Sequence, residues 1–237
     1  MMDLEKILEL SRTELTRLLG DNLLSLLVCG SVPIGDFRAG SSDINLLAVL
    51  KRVDLEALAA TREFIKKMAK HKVSAPLLLT DEQIKTSADV FPLEFLELQE
   101  KHRVLQGEDP LALLAIGLGN LRHECEHELK GRLIRLRQSY LEIGSRPRVL
   151  QSLLKAAENA NYPVFRGCLR LKKMKPPLKK EEVLTALAQA FGLSFKILLE
   201  ARQLRLGQIR LGLPGLTRLF GLYLEEVEKL AQAVDRI

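Results

Sequence analysis

Hydrophobic positions in the first half of the chain alternate between helical spacing and short continuous runs. A helical stripe ends at Gly20, and the apolar run that follows it is too short for a core helix, so it predicts a buried strand. Further strand and helix patterns follow, separated by glycine, proline and a Thr80 helix cap. The predicted elements are a helix over 3–19, strands over 23–29 and 43–50 joined by a loop over 32–42, a helix over 55–71, a strand over 73–80, a short helix after Thr80, and a fourth strand over Leu93–Leu98.

The pattern changes at about residue 112, where strand signals stop and long helical periods begin. Glycines and prolines separate the helical segments, which are 112–143, 147–160, 162–173, 180–191, 194–206 and 214–235. Gly107-Glu108-Asp109-Pro110 marks the predicted boundary. We therefore expect an α+β protein of two domains: residues 1–111 with a small mixed sheet, and residues 112–237 as an all-α helical bundle.

Composition narrows the class of protein. Apolar residues make up 47% of the chain and aromatic residues only 5%, which favours a folded, aliphatic core. No apolar run is long enough to span a bilayer, and the first residues lack the basic-then-apolar pattern of a secretion signal. Three widely spaced cysteines, Cys29, Cys125 and Cys168, predict buried thiols in a reducing compartment. The expected location is cytoplasmic, with no membrane contact.

Positive charge is concentrated in the middle of the chain. Residues 121–180 hold 15 lysines and arginines against 5 acidic residues. Such a block attracts phosphate-bearing partners, including nucleic acid, and it is equally typical of a solvated basic face. It argues against a polycationic acceptor, so an anionic or neutral acceptor is expected. Aromatic residues are not interleaved with its basic residues, as base stacking would require.

Polar residues with phosphate- and metal-binding chemistry surround the loop between the first two strands. Gly30 lets the backbone approach a phosphate closely, and Ser31 can donate its hydroxyl and N–H to phosphate oxygens. Asp43 and Asn45 are two residues apart on a strand, so their side chains face the same side. Oxygen ligands in this arrangement suit Mg²⁺, which is bound through one or two carboxylates and substrate phosphates.

This segment, GSVPIGDFRAGSSDINLLAVL, resembles the nucleotidyltransferase superfamily, in particular the minimal nucleotidyltransferases and the aminoglycoside adenylyltransferases. The shared pattern is Gly30-Ser31, a loop, then Ser42-Asp43-hydrophobic and an apolar strand. The resemblance covers roughly residues 10–110 and extends to the helical second half. It implies transfer of a nucleoside monophosphate, usually AMP from ATP, with Mg²⁺ or Mn²⁺. It also implies that Ser42 belongs to the nucleotide-binding motif.

Two positions depart from the pattern that the resemblance implies. The family's second aspartate is replaced by Asn45, which is nearly isosteric but supplies no negative charge to a site for divalent ions. The family's third carboxylate is on a later strand, and Glu94 and Glu97 are the candidates on the predicted strand Leu93–Leu98. The two glutamates are three positions apart, so on a strand their side chains would face opposite sides and only one could join Asp43. Glu94 is the preferred candidate.

These departures leave two functions open. One is Mg²⁺-dependent transfer of a nucleoside monophosphate to an acceptor, with Asp43 and Glu94 or Glu97 as metal ligands, Asn45 as a weakened ligand, and Gly30, Ser31 and Ser42 binding the nucleotide. The other is a catalytically degenerate module that binds a nucleotide or a protein partner. Asn45 is the residue that separates them.

Two short patterns in the second half suggest other chemistry. His123-Glu124-Cys125-Glu126-His127 matches the helical motif of zinc proteases formally, but its flanks are charged and it has no evident third ligand. Arg122 and His127 also fit the Arg-x4-His pattern of HEPN helical ribonucleases, which the helical second half resembles. We expect instead a solvated helix face with ion pairs four residues apart.

Overall fold

The computed structural model describes residues 3–37, 42–143, 146–192 and 196–237. Residues 38–41 of the predicted loop and residues 194–195 of a predicted helix lie outside these ranges. The chain divides into two compact units, Met1–Ile116 and Gly117–Ile237. The α+β class predicted from the sequence is confirmed, because a small mixed sheet is followed by helices.

The first unit is built on a four-stranded sheet in the order β3-β2-β1-β4. Strand β1 is antiparallel to both of its neighbours, and β2 is parallel to β3. The elements of this unit are α1 (Leu4–Leu19), β1 (Leu23–Cys29), β2 (Asn45–Leu50), α2 (Leu55–Met68), β3 (Leu77–Thr80), α3 (Asp81–Ser87), α4 (Pro92–Glu100) and β4 (His102–Gln106). The predicted adjacency of the first two strands is confirmed.

Both faces of the sheet are covered, because the residues of β1 and β2 that point to one face and those that point to the other are mostly apolar. Leu26 and Val28 join a core that includes buried side chains of α1 and α2, such as Leu15 and Phe64. Leu27 and its neighbours on the opposite face join a second core with Ile84, Phe95 and Leu111. Continuous apolar runs are what a strand buried on both faces requires.

The predicted strand over Leu93–Leu98 is wrong: these residues lie in the helix α4. Pro92 occupies the first turn, where its missing N–H costs nothing, and the following leucines and glutamates favour a helix. The free edge of β1 is paired instead by the next segment, His102–Gln106. Glu94 and Glu97 are therefore one helical turn apart on one side of α4, and neither is on a strand.

The other local signals in this unit agree with the structure. Thr80 caps α3 through a capping box, in which its hydroxyl accepts from Gln83 N–H and the Gln83 side chain accepts from Thr80 N–H. Asp54 caps α2 by accepting from Ala57 N–H at 2.9 Å. These caps satisfy backbone donors that would otherwise be left without partners at the helix starts.

The second unit consists of helices whose bounds follow the predicted segments, except that the first helix begins at Leu118 and not at residue 112. They are α5 (Leu118–Ile143), α6 (Pro147–Ala160), α7 (Tyr162–Leu171), α8 (Lys180–Phe191), α9 (Lys196–Arg205) and α10 (Leu213–Asp235). No helix within the described ranges is both long and apolar enough to cross a membrane. As predicted, the three cysteines are buried free thiols.

A buried ion network ties the middle helices of the second unit together. Glu158, only 3% exposed, accepts a hydrogen bond from the Tyr162 hydroxyl at 2.5 Å and pairs with Arg202 and Arg205 at 3.4 and 3.3 Å. Arg202 also pairs with Glu181 at 2.5 Å. Burial, together with the neighbouring Glu158 carboxylate, raises the pKa of Tyr162 far above its usual range, so the phenol stays a hydrogen-bond donor.

Candidate nucleotide-binding edge

The turn at Gly30 brings the end of β1 into contact with the start of β2. Gly30 has a φ of +82°, and a Cβ built on it would lie 3.3 Å from the amide nitrogen of Asn45. Its N–H donates to the carbonyl oxygen of Lys101 at 2.9 Å. Gly30 therefore allows the close approach of Asn45, but its own N–H is engaged and is not directed at a ligand.

The residues after Gly30 form a tight turn held by backbone hydrogen bonds. Asp36 N–H donates to the Ser31 carbonyl at 3.0 Å, and Gly35 N–H donates to the Val32 carbonyl at 3.2 Å. Ser31 is half-buried. The carbonyl of Ser31 is thereby fixed in the turn.

Asp43 and Asn45 flank a buried residue at the start of β2. Ile44 is fully buried and bridges to Val73, while Asp43 and Asn45 are exposed on either side of it. Ile44 N–H donates to the Lys72 carbonyl at 2.8 Å, which fixes the backbone here. Asp43 makes no hydrogen bond or ion pair with any residue in the described ranges. Its carboxylate is thus available to a cation, and Ser42, half-buried, precedes it.

A row of three side chains crosses the sheet at this edge. Cys29 is the cross-strand partner of Asn45 on one side and of His102 on the other. Directly opposed residues point to the same face, so the row is Asn45, Cys29 and His102. Burial raises the pKa of the Cys29 thiol to about 12, so it does not offer a thiolate ligand near neutral pH.

His102 is held on both ring nitrogens. Nδ1 lies 2.9 Å from the Leu98 carbonyl at the end of α4, and Nε2 lies 3.1 Å from the Asp109 carboxylate. A ring with both nitrogens engaged positions the backbone and is not free to bind a metal. Sequence reasoning missed His102 because the strand that carries it was placed one segment too early.

The two glutamates proposed as the third metal ligand are on α4. Glu97 pairs with Lys101 at 2.5 Å, and both side chains are less than one-fifth exposed. Glu94 is exposed in the first turn of the helix. The strands after β2, Leu77–Thr80 and His102–Gln106, contain no aspartate or glutamate. Within the described ranges, no group of three or more histidine, cysteine or acidic side chains is arranged to hold a metal ion.

The arrangement at this edge therefore offers one free carboxylate, one amide and hydroxyl groups. Mg²⁺ prefers six oxygen ligands and often takes several of them from water and substrate phosphates. Asp43 with the oxygens of a triphosphate fits one such ion. Two ions would need further carboxylates to offset their charge.

The His123–His127 segment lies on an exposed face of α5. Both histidines are exposed, and Glu126 is engaged by Arg122 at 3.0 Å and by Lys130. These pairs lower the pKa of Glu126, with the Lys130 contact as the main cause. Arg122 is therefore occupied by Glu126 four residues on, as in the expected solvated ion-pair face.

We expect the His123–His127 segment to bind no zinc, because no third ligand stands near its two histidines within the described residues. Metal analysis of the untagged protein should find zinc well below one equivalent, and His123→Ala should leave the metal content unchanged. Stoichiometric zinc that is lost in His123→Ala would show this expectation to be wrong.

Part of the basic block over 121–180 is structural. Arg166 and Arg170 are buried in α7, where Arg166 donates to the Pro177 carbonyl. Arg132 pairs with Glu128 at 2.8 Å, and Arg137 pairs with Glu228 at 2.9 Å. The sequence total therefore overstates the charge that the second unit presents to a partner.

Comparison with known proteins gives little beyond this geometry. No protein-family model matches the chain, and no curated protein sequence matches it. Among solved structures, the chain is similar to the spectinomycin adenyltransferase AAD(9) from Enterococcus faecialis, crystallised with ATP and spectinomycin. The similarity covers 95% of this chain and 100% of that chain, with 11% identity and a TM-score of 0.46.

Proposed function

We propose that the first unit is a nucleotidyltransferase-like module that binds a nucleoside triphosphate with Mg²⁺ and has lost most of its transfer activity. The observation that carries this proposal is the missing carboxylates: Asn45 stands at the second position, and neither later strand contains an acidic residue. What remains is Asp43, exposed and without a partner in the described ranges.

Binding and transfer place different demands on this edge. A single Mg²⁺ can be shared between Asp43 and the triphosphate, because phosphate oxygens complete its coordination. Transfer by a two-metal mechanism needs a second ion to activate the attacking hydroxyl. Losing one negative charge at about 4 Å removes roughly 4 kcal/mol of attraction per unit of metal charge at an effective dielectric of about 20, before solvation is counted.

The nearby side chains support a binding role. Asn45 can donate its amide hydrogens to a phosphate oxygen, which an aspartate could not do. Its amide nitrogen is held beside Gly30, at the turn that carries Ser31. Ser31 and Ser42 add hydroxyl donors from the two ends of the loop. The preferred ligand is ATP, following the resemblance of the motif.

The second candidate function is nucleotidyl transfer itself, with Glu97 as the third carboxylate. Glu97 is at the end of α4, one turn before Lys101, whose carbonyl accepts from Gly30 N–H. Its short pair with Lys101 would have to open before it could bind a metal. Transfer therefore requires a rearrangement that binding alone does not.

We expect saturating Mg²⁺·ATP to raise the melting temperature of the full chain, since a ligand at about 100 times its Kd stabilises by about 2.7 kcal/mol. Scanning calorimetry with ATP and Mg²⁺, and with ATP and a chelator, measures the effect and its metal dependence. Asp43→Ala should abolish the metal-dependent part. Pyrophosphate release from ATP in the same samples should stay at background.

Two results would contradict the proposal in different ways. No shift with Mg²⁺·ATP, GTP, CTP or UTP would remove nucleotide binding altogether. Pyrophosphate release that depends on Asp43 and on Glu97, tested with Glu97→Gln, would restore the active transferase as the function.

A further inference from the structure

A groove between α5 and α6 in the second unit has the features of a small-molecule site. Its volume is about 190 Å³, and apolar side chains of both helices form its floor. Three alanines of α6 keep it open, where larger side chains would close it. The lining residues that carry the argument are Arg135, Ser139, Leu136, Leu153, Ala156 and Ala160.

Two hydrogen-bond donors on the rim of this groove are not engaged. Neither the Arg135 guanidinium nor the Ser139 hydroxyl makes a hydrogen bond or ion pair with a residue in the described part of the chain. They are four residues apart on α5, but the Arg135 guanidinium extends toward the preceding turn and lies against Gly131, so the two donors stand apart. Other arginines of this unit, such as Arg132 and Arg202, are tied to glutamates. Arg135 therefore presents an uncompensated positive charge beside an apolar floor.

We propose that this groove binds a small carboxylic acid whose apolar body is about the size of a benzene ring. A planar guanidinium with parallel N–H groups matches a carboxylate. Apolar cavities of about 150 Å³ hold benzene, which sets the size of the body that the floor can cover. The charge of Arg135 selects an anion over a neutral compound.

The polar groups of the groove lie at its end and on its rim, apart from its apolar floor. Arg132 donates to the Ala160 carbonyl at the end of α6 and to the Asn161 side chain, so it closes one end of the groove without adding a free charge. Asn161 is buried and donates in turn to the Tyr223 hydroxyl. This end is therefore rigid, and the free donors are confined to the α5 rim.

Phenylacetate is the probe for the experiment, with phenylacetamide as its neutral counterpart. We expect saturation-transfer NMR on the full chain to detect phenylacetate with a dissociation constant on the order of 1 mM, as expected for so small a ligand. Phenylacetamide should bind about tenfold or more weakly, and Arg135→Gln should weaken phenylacetate binding by a similar factor. Ala156→Leu, an exposed lining position, should also weaken it by filling the groove.

Arg148→Gln is the matched control, because Arg148 is an exposed arginine of α6 outside the groove lining. It should bind phenylacetate as the wild type does. Absence of saturable phenylacetate binding would overturn the proposal and leave the apolar floor to a protein partner. Equal binding of the acid and the amide, or an unchanged affinity in Arg135→Gln, would overturn the role of the positive charge.

Discussion

Gly107→Ala is expected to destabilise the first unit by about 3–4 kcal/mol, a large loss for a single methyl group. Gly107 follows β4 with a φ of +79°, and a Cβ there would lie 2.1 Å from the Leu24 carbonyl oxygen and 2.9 Å from Ser25 Cα. Both are backbone atoms of β1, so no side chain can turn away. The hydrogen bond from Ser25 Oγ to the Glu108 carbonyl, 2.7 Å, holds the turn against the strand.

Comparison with Gly35→Ala separates the two causes of this loss of stability, which are the left-handed backbone and the clash with β1. Gly35 has a φ of +71° with no atom within 4 Å of a built Cβ, so alanine there carries only the left-handed backbone cost of about 1 kcal/mol. Urea unfolding of the full chain, followed by circular dichroism, compares the two variants. With a slope of about 2 kcal/mol per molar, Gly107→Ala should lower the midpoint of its transition by more than about 1 M. If the two variants lower the urea midpoint equally, the clash with β1 does not contribute to the loss of stability in Gly107→Ala.

The order of elements could be predicted wherever the hydrophobic pattern and the glycine or proline positions indicated the same boundaries. Helix ends at Gly20 and Gly192 and the apolar strand Leu23–Cys29 carry strong local signals, and the structure places the elements accordingly. The prediction for Leu93–Leu98 failed because a short apolar run interrupted by two glutamates fits both a strand and a short helix. Pro92 decided the outcome by starting a helix, and pairing with β1 was left to His102–Gln106.

The same ambiguity limited the prediction of the site. Gly30, Asp43 and Asn45 are fixed by strands that the sequence specifies, so their common edge could be predicted. The third ligand depended on the misassigned segment, and its loss changes the chemistry that we propose. His102 is in the row with Asn45 through strand register, which depends on contacts distant in sequence.

Restoring the missing carboxylate with Asn45→Asp is expected to raise the affinity for Mn²⁺ in the presence of ATP by about tenfold or more. The added charge next to Asp43 is worth roughly 4 kcal/mol per unit of metal charge at about 4 Å and an effective dielectric of about 20. Desolvation and repulsion between the two carboxylates offset much of this, which leaves a net gain of about 1–2 kcal/mol. The side chains are nearly isosteric, so the turn at Gly30 should not change.

Asp43→Ala and Asn120→Asp complete the calorimetric series. Asp43→Ala removes the carboxylate that has no partner in the described ranges, so Mn²⁺-dependent binding of ATP should be lost. Asn120→Asp adds the same charge at an exposed position of α5 in the second unit, and it should leave the titration unchanged. If Asn45→Asp and Asp43→Ala both bind Mn²⁺ and ATP as the wild type does, the Gly30–Asn45 edge is not a metal site. The first unit would then be a scaffold, because a carboxylate at a bound cation cannot be added or removed without changing the affinity.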